Sequence, residues 1–134
     1  MNLKIKFGDL LKEKGTFIVT PCNQEKVDVV IESSSTQTNY KYIFYVSANQ
    51  SYMQMQASLN SMLIIIKDKV KSEDIQNPSL LMPLLGCGVG GLKKEKVFLL
   101  IKSIFQKADF DLDVIIYFDD KKDYYEFYSK KIKF

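Results

Sequence analysis

The sequence contains no histidine and no tryptophan. It also contains no arginine, so its 19 positive charges are all lysines. Without imidazole, a Ser-His-Asp triad, a Cys-His dyad and a histidine-rich metal site are excluded within this chain. Without guanidinium, so is an arginine finger. Two cysteines, Cys22 and Cys87, are too few for a disulfide framework or a four-thiolate zinc site, and they suit a reducing, cytoplasmic setting. The longest aliphatic block, Met62 to Ile66, is far short of a bilayer span. The opening residues Met1 to Lys6 alternate apolar and charged side chains and form no signal-peptide run. Neither a membrane nor a metal or other cofactor is expected.

What is present describes one folded domain over residues 1–134. Hydrophobic residues make up 46% and charged residues 26%, a globular balance, and a chain of this length can bury a core without staples. The net charge is +3, with lysines and acids interleaved. That is too even for the basic stripe of a dedicated nucleic-acid binder, so nucleic acid is not the expected partner.

Periodicity orders the chain. Leu3, Ile5 and Phe7 alternate with lysines, which predicts a strand with one buried face, broken at Gly8-Asp9. Thr16 to Thr20 is a continuous β-favouring run of the kind found mid-sheet, and Pro21 is expected to end it. Val27 to Ile31 and Tyr40 to Val46 read as further strands, with a polar loop from Ser33 to Asn39 between them. From Ser51, a plausible N-cap, the period changes: Tyr52, Met55, Leu59, Met62, Leu63, Ile66 and Val70 share one helical face. Leu80 to Leu85 predicts a short strand, Val97 to Phe105 a helix, and Val114 to Phe118 the last buried strand. Tyr124, Phe127, Tyr128 and Ile132 mark a terminal helix, whose tyrosines at helical spacing are read as packing residues. Strands alternating with helices predict an α/β fold with a largely parallel sheet centre.

The most informative stretch is Leu84 to Glu95. Gly86, Gly88, Gly90 and Gly91 are four of the chain's six glycines, and they stand between a predicted strand and a predicted helix. Glycines there bring backbone N–H groups close to a ligand, and the helix start adds its positive end, so phosphate is the natural guest. A tight turn relieved by glycine would explain one or two of them, not four. Gly86, Gly88 and Gly91 also match G-x-G-x-x-G, with Asp109 and Asp111 near the ribose-binding distance. That fingerprint, however, belongs to the first strand of a longer βαβαβ sheet. No Gly-Lys-Ser/Thr follows, so Lys93 does not make a Walker loop.

With its flanks, Pro83-Leu84-Leu85-Gly86-Cys87-Gly88-Val89-Gly90-Gly91 resembles the second phosphate-binding loop of macrodomains, the ADP-ribose-binding α/β modules. Three more segments resemble the family in order: Lys6 to Leu10 its opening strand and Gly-Asp-Ile/Leu, Phe17 to Asn23 its Ile-Val-Asn-Ala-Ala-Asn strand end, and Ile115 to Asp119 its last strand. The resemblance implies a three-layer α/β/α domain, a mixed sheet with helices on both faces, that binds ADP-ribose or a related nucleotide diphosphate. It would place Gly86, Cys87, Gly88, Val89, Gly90 and Gly91 at the phosphates. Asp9, Leu10, Phe118 and Asp119 would lie at the base, and Asn23 at the distal ribose.

Each of these residues also has a plainer reading. Asp9 suits an N-cap, Asn23 a turn after Pro21, and Phe118 the core; Cys87 reads as a small loop residue. Two departures stand out. Thr20 replaces the first asparagine, and Gln24 to Glu32 carries no glycine where the family has its first glycine-rich loop, which makes this a trimmed form. The alternatives are an ADP-ribosyl hydrolase, with Asn23 as the catalytic residue and an ADP-ribosylated protein or nucleic acid as substrate, and a degenerate module that binds protein or RNA.

Overall fold

A computed structural model describes residues 2–22, 29–33, 39–87 and 91–129. Six strands form one sheet: β1 (Asn2–Phe7), β2 (Gly15–Cys22), β3 (Val30–Ser33), β4 (Tyr40–Ser47), β5 (Ser79–Met82) and β6 (Asp113–Phe118). Their order across the sheet is β1-β6-β5-β2-β4-β3, parallel throughout except for β3, which runs antiparallel along the edge. The helices are α1 (Tyr52–Ser72), α2 (Lys94–Phe105) and α3 (Lys121–Ser129), with a short 3₁₀ turn at Leu10–Lys12.

Each element follows from its pattern. β1 buries Leu3 and Ile5 and exposes Lys4 and Lys6. β2 is covered on both faces, with Phe17, Ile18 and Val19 almost fully buried. α1 opens on a capping box, in which Ser51 Oγ accepts from the Gln54 amide and Gln54 Oε1 accepts from the Ser51 amide. Its apolar stripe buries Met55, Leu59, Met62 and Ile66 completely. The crossovers β4–α1–β5 and β5–α2–β6 step in the same direction along the sheet, so right-handedness puts both helices on one face. The larger core cluster lies there, joining α1, α2 and Phe127 of α3 to Phe17, Phe44, Leu80, Val114 and Phe118. Phe17 sits at its centre, its ring 5.5 Å from that of Tyr42 and 5.7 Å from that of Phe44. The opposite face carries a smaller cluster, Ile18, Leu81 and Tyr117, against which Leu10 of the 3₁₀ turn packs.

Four boundaries differ from the sequence expectation. β2 runs through Pro21 to Cys22, because its ladder with β5 stops at Ile18–Leu81. Cys22 turns its carbonyl toward the β4 side, where the Ala48 amide donates to it. Pro21 therefore turns its donor-less nitrogen to the vacated side. β5 ends before Pro83 and does not reach Leu85. β3 begins at Val30 and runs to Ser33, pairing with Tyr42–Tyr45; Val27, Asp28 and residues 34–38 lie outside the described residues. On α3 only Phe127 is buried, while Tyr125 and Tyr128 are exposed and touch Tyr124 instead of the core, because the helix lies over the β1 edge and meets the sheet on one narrow face. Ile132 lies outside the described residues. No helix among the described residues is long and apolar enough to cross a membrane.

Candidate functional site

The carboxyl ends of the adjacent strands β1, β6 and β5 open into a cleft of about 920 Å³. In open parallel sheets this is where ligands bind, because strand ends and helix starts converge there without side chains to fill the space. Three segments far apart in the sequence line it: Phe7 to Leu10 after β1, Pro83, Leu84 and Cys87 after β5, and Tyr117 to Asp120 at the end of β6. Lys94 and Asp123 complete it. The structure thus brings Asp9, Leu10, Cys87, Phe118 and Asp119 to one wall. Asn23, Gly88, Val89 and Gly90 lie outside the described residues.

Asp9 caps the 3₁₀ turn, its Oδ1 accepting from the Leu11 amide at 3.0 Å, and it lines the cleft as well. The carboxylate is exposed and has two oxygens, so one can cap while the other faces a ligand. Phe118 is core: 5% exposed, its ring lies 5.0 Å from Phe127 and 6.3 Å from Tyr124. Asp120 caps α3 by accepting from the amides of Lys122 and Asp123.

The base of the glycine loop is held firmly. Gly86 has φ +76°, and a Cβ there would meet Leu92 Cδ1 at 2.8 Å and Met55 Cε at 3.2 Å, so only glycine fits. The Leu92 amide donates to the Gly86 carbonyl at 2.9 Å, closing the loop on itself. The Lys93 amide donates to Tyr52 Oη at 2.8 Å, tying the loop to the first turn of α1. Gly91 has φ +71° with open space where a Cβ would be, so its glycine is required by backbone conformation alone. The amides of Leu92 and Lys93 are thus spent within the protein.

Charge is unevenly spread. Asp9, Asp119, Asp120 and Asp123 line the cleft together with Lys94. Lys94 pairs with Asp123, and that hydrogen bond holds the ammonium pKa above its ordinary value. Lone thiols near helix starts are commonly acidic, but burial pushes Cys87 up to about 11 against the opposing pull of Lys94. Its Sγ lies 3.6 Å from the Leu85 carbonyl. Burial thus favours the protonated thiol over the thiolate. Among the described residues no group of three or more potential ligands is arranged to hold a metal ion.

Sequence reasoning missed Phe7 and Asp123. Phe7 continues the buried alternation of Leu3 and Ile5 and reads as core; what exposes it is its place at the carboxyl end of β1, where the cleft opens. The Lys94–Asp123 pair joins residues with no shared local pattern.

No protein-family model matches the sequence, and no curated protein does so. Solved structures do. The macrodomain of Mycobacterium tuberculosis DarG superposes with a TM-score of 0.71 at 17% identity, covering 88% of this chain and 98% of that one. The chain has the macrodomain fold. The Oceanobacillus iheyensis macrodomain solved with ADP matches with a TM-score of 0.70 at 17% identity, over 96% of this chain and 88% of its own. Thermosipho africanus DarTG in complex with ADP-ribose matches with a TM-score of 0.56 at 16% identity, over 84% of this chain and 41% of that longer one. The two last-named structures hold a nucleotide diphosphate.

Proposed function

We propose that this macrodomain-fold chain binds ADP-ribose or a related nucleotide diphosphate in the cleft at the carboxyl edge of its sheet. The observation that carries the reading is the convergence there of Asp9 after β1, Pro83, Leu84 and Cys87 after β5, and the end of β6, three segments that the sequence keeps far apart. Phosphates would meet backbone amides of the glycine loop beside the start of α2. The base would meet the carboxylates at the β1–β6 end, and Asn23 the distal ribose. Charge supports this polarity: the carboxylates repel phosphate but accept hydrogen bonds from amines and hydroxyls, while Lys94 opens α2 next to the loop. Each charge-assisted hydrogen bond to the diphosphate contributes about 1.5–3 kcal/mol. The macrodomain structures solved with ADP and with ADP-ribose support the ligand class. An ADP-ribosylated protein is a partner through the same ligand.

Calorimetric titration with ADP-ribose, ADP, NAD and a short RNA tests the reading. Saturable binding of ADP-ribose and ADP is expected, and Gly88→Glu abolishes it by placing a side chain and a like charge at the phosphates. Gly88→Glu binding as well as the parent, or salt-sensitive binding of RNA alone, overturns it.

A further inference from the structure

Phe7 and Phe118 end two adjacent parallel strands in register with one another. The ladder of alternation puts both on the helical face of the sheet, with Leu3, Ile5 and Ile116. Their surroundings differ. Phe118 is 5% exposed, with Phe127 and Tyr124 packed against it, so it has no face to offer. Phe7 is 45% exposed: it ends β1 at the cleft, whereas Leu3 and Ile5 on the same face of the same strand are buried. It lines the cleft, and Tyr124 supports it at 6.2 Å with the rings tilted by 48°. The exposed Lys121 places its ammonium 5.8 Å from the ring centroid, near the outer limit of a cation–π contact. An entering planar group can displace so long a contact at little cost.

We propose that Phe7 is the ring on which the base of the bound nucleotide stacks. This rests on the nucleotide reading above and assigns its base contact to β1, not to the end of β6. Leu10, half-buried on the same segment, supplies apolar surface beside it. Stacking tolerates any base, since every base has a π face. Phe7 therefore contributes affinity, and discrimination falls to the carboxylates Asp9 and Asp119.

The test uses the full chain and three proteins: parent, Phe7→Leu and Phe7→Tyr. Leucine keeps apolar bulk without a π face; tyrosine keeps both. Each is titrated with ADP-ribose by calorimetry, while the adenine H2 and H8 proton resonances are followed by NMR and melting is recorded in parallel. The parent should shift both adenine resonances upfield through the ring current of Phe7. Phe7→Leu should melt within a few degrees of the parent, bind about tenfold or more weakly and lose the upfield shift, and Phe7→Tyr should restore both. Parent-like affinity in Phe7→Leu, or weaker binding with the upfield shift retained, overturns the assignment while the nucleotide reading stands. A parent that binds no ADP-ribose overturns both.

Discussion

The two edges of the sheet are built differently. At the amino edge, backbone and side-chain groups close on one another. Thr16 and Ser79 exchange amide-to-hydroxyl hydrogen bonds at 3.0 and 3.2 Å, the Asn2 amide donates to Leu112, and the Asp113 amide to Pro78. Tyr42 Oη donates to Glu73, which also pairs with Lys41 at 3.0 Å. At the carboxyl edge the cleft stays open, with Asp9, Asp119 and half of Phe7 turned to water. The amino edge pairs these polar groups within the protein, whereas the carboxyl edge leaves the Asp9 and Asp119 side chains exposed, where the proposed ligand would meet them. Substitutions at the amino edge should therefore cost stability without affinity, and those at the carboxyl edge the reverse.

Gly86 is where that division should break, and it carries the largest expected effect. Gly86→Val puts a β-branched residue at φ +76° and drives a methyl into Leu92. We expect a loss of about 3 kcal/mol in urea unfolding together with loss of ADP-ribose binding. Parent-like stability would mean that the loop base is softer than its geometry indicates.

Asp9→Asn separates the two roles of that residue. Asparagine caps as well as aspartate, so unfolding should stay within about 0.5 kcal/mol of the parent. Losing the charged acceptor at the base should weaken ADP-ribose about tenfold in calorimetry. An unchanged affinity would leave Asp9 a cap only.

Tyr42→Phe sharpens the other side of the comparison. It should cost about 1 kcal/mol, one net hydrogen bond, with ADP-ribose affinity unchanged. The pH dependence has a defined sign. The hydrogen bond to Glu73, then burial, then the Glu73 charge raise the Tyr42 phenol to about 12 from an ordinary value near 10. A raised folded pKa means that stability is whole below 10 and is lost as pH climbs toward 12. Conversely, the Tyr42 hydrogen bond and then the Lys41 ammonium hold Glu73 below its ordinary range. Its contribution is present above that range and disappears as pH falls through the lowered value. Parent-minus-variant urea midpoints across both windows should shrink at each end, and a flat difference would contradict the pairing.

Local pattern explains how much of this was legible. Period-two alternation in β1 and the three-four spacing of α1 report burial on one face; Leu3, Ile5, Met55, Leu59, Met62 and Ile66 are buried as expected, while Phe7 is not. Proline's missing donor predicts a strand end at Pro21. Whether that matters depends on which neighbour its nitrogen faces, and only the sheet order decides that. A related limit hid Phe7, since alternation cannot tell where along a strand the covering layer stops and the cleft begins. Asp9 was weighed as cap or ligand contact, and the structure makes it a cap at the cleft wall, because a carboxylate has oxygens for both. The Gly86 requirement is visible as glycine density, but its cause, a left-handed backbone at φ +76° closed by the Leu92 amide, belongs to the folded loop.

The account is tested most directly by mapping backbone amide shifts of the intact chain while ADP-ribose is added. The largest changes should cluster at Gly8 to Leu10, at Leu84 to Gly91 and at Phe118 to Asp120, leaving Thr16, Ser79 and Asp113 at the amino edge unmoved. No shifts at about millimolar ADP-ribose, where only binding weaker than about 4 kcal/mol escapes notice, or shifts centred on the amino edge, would contradict it.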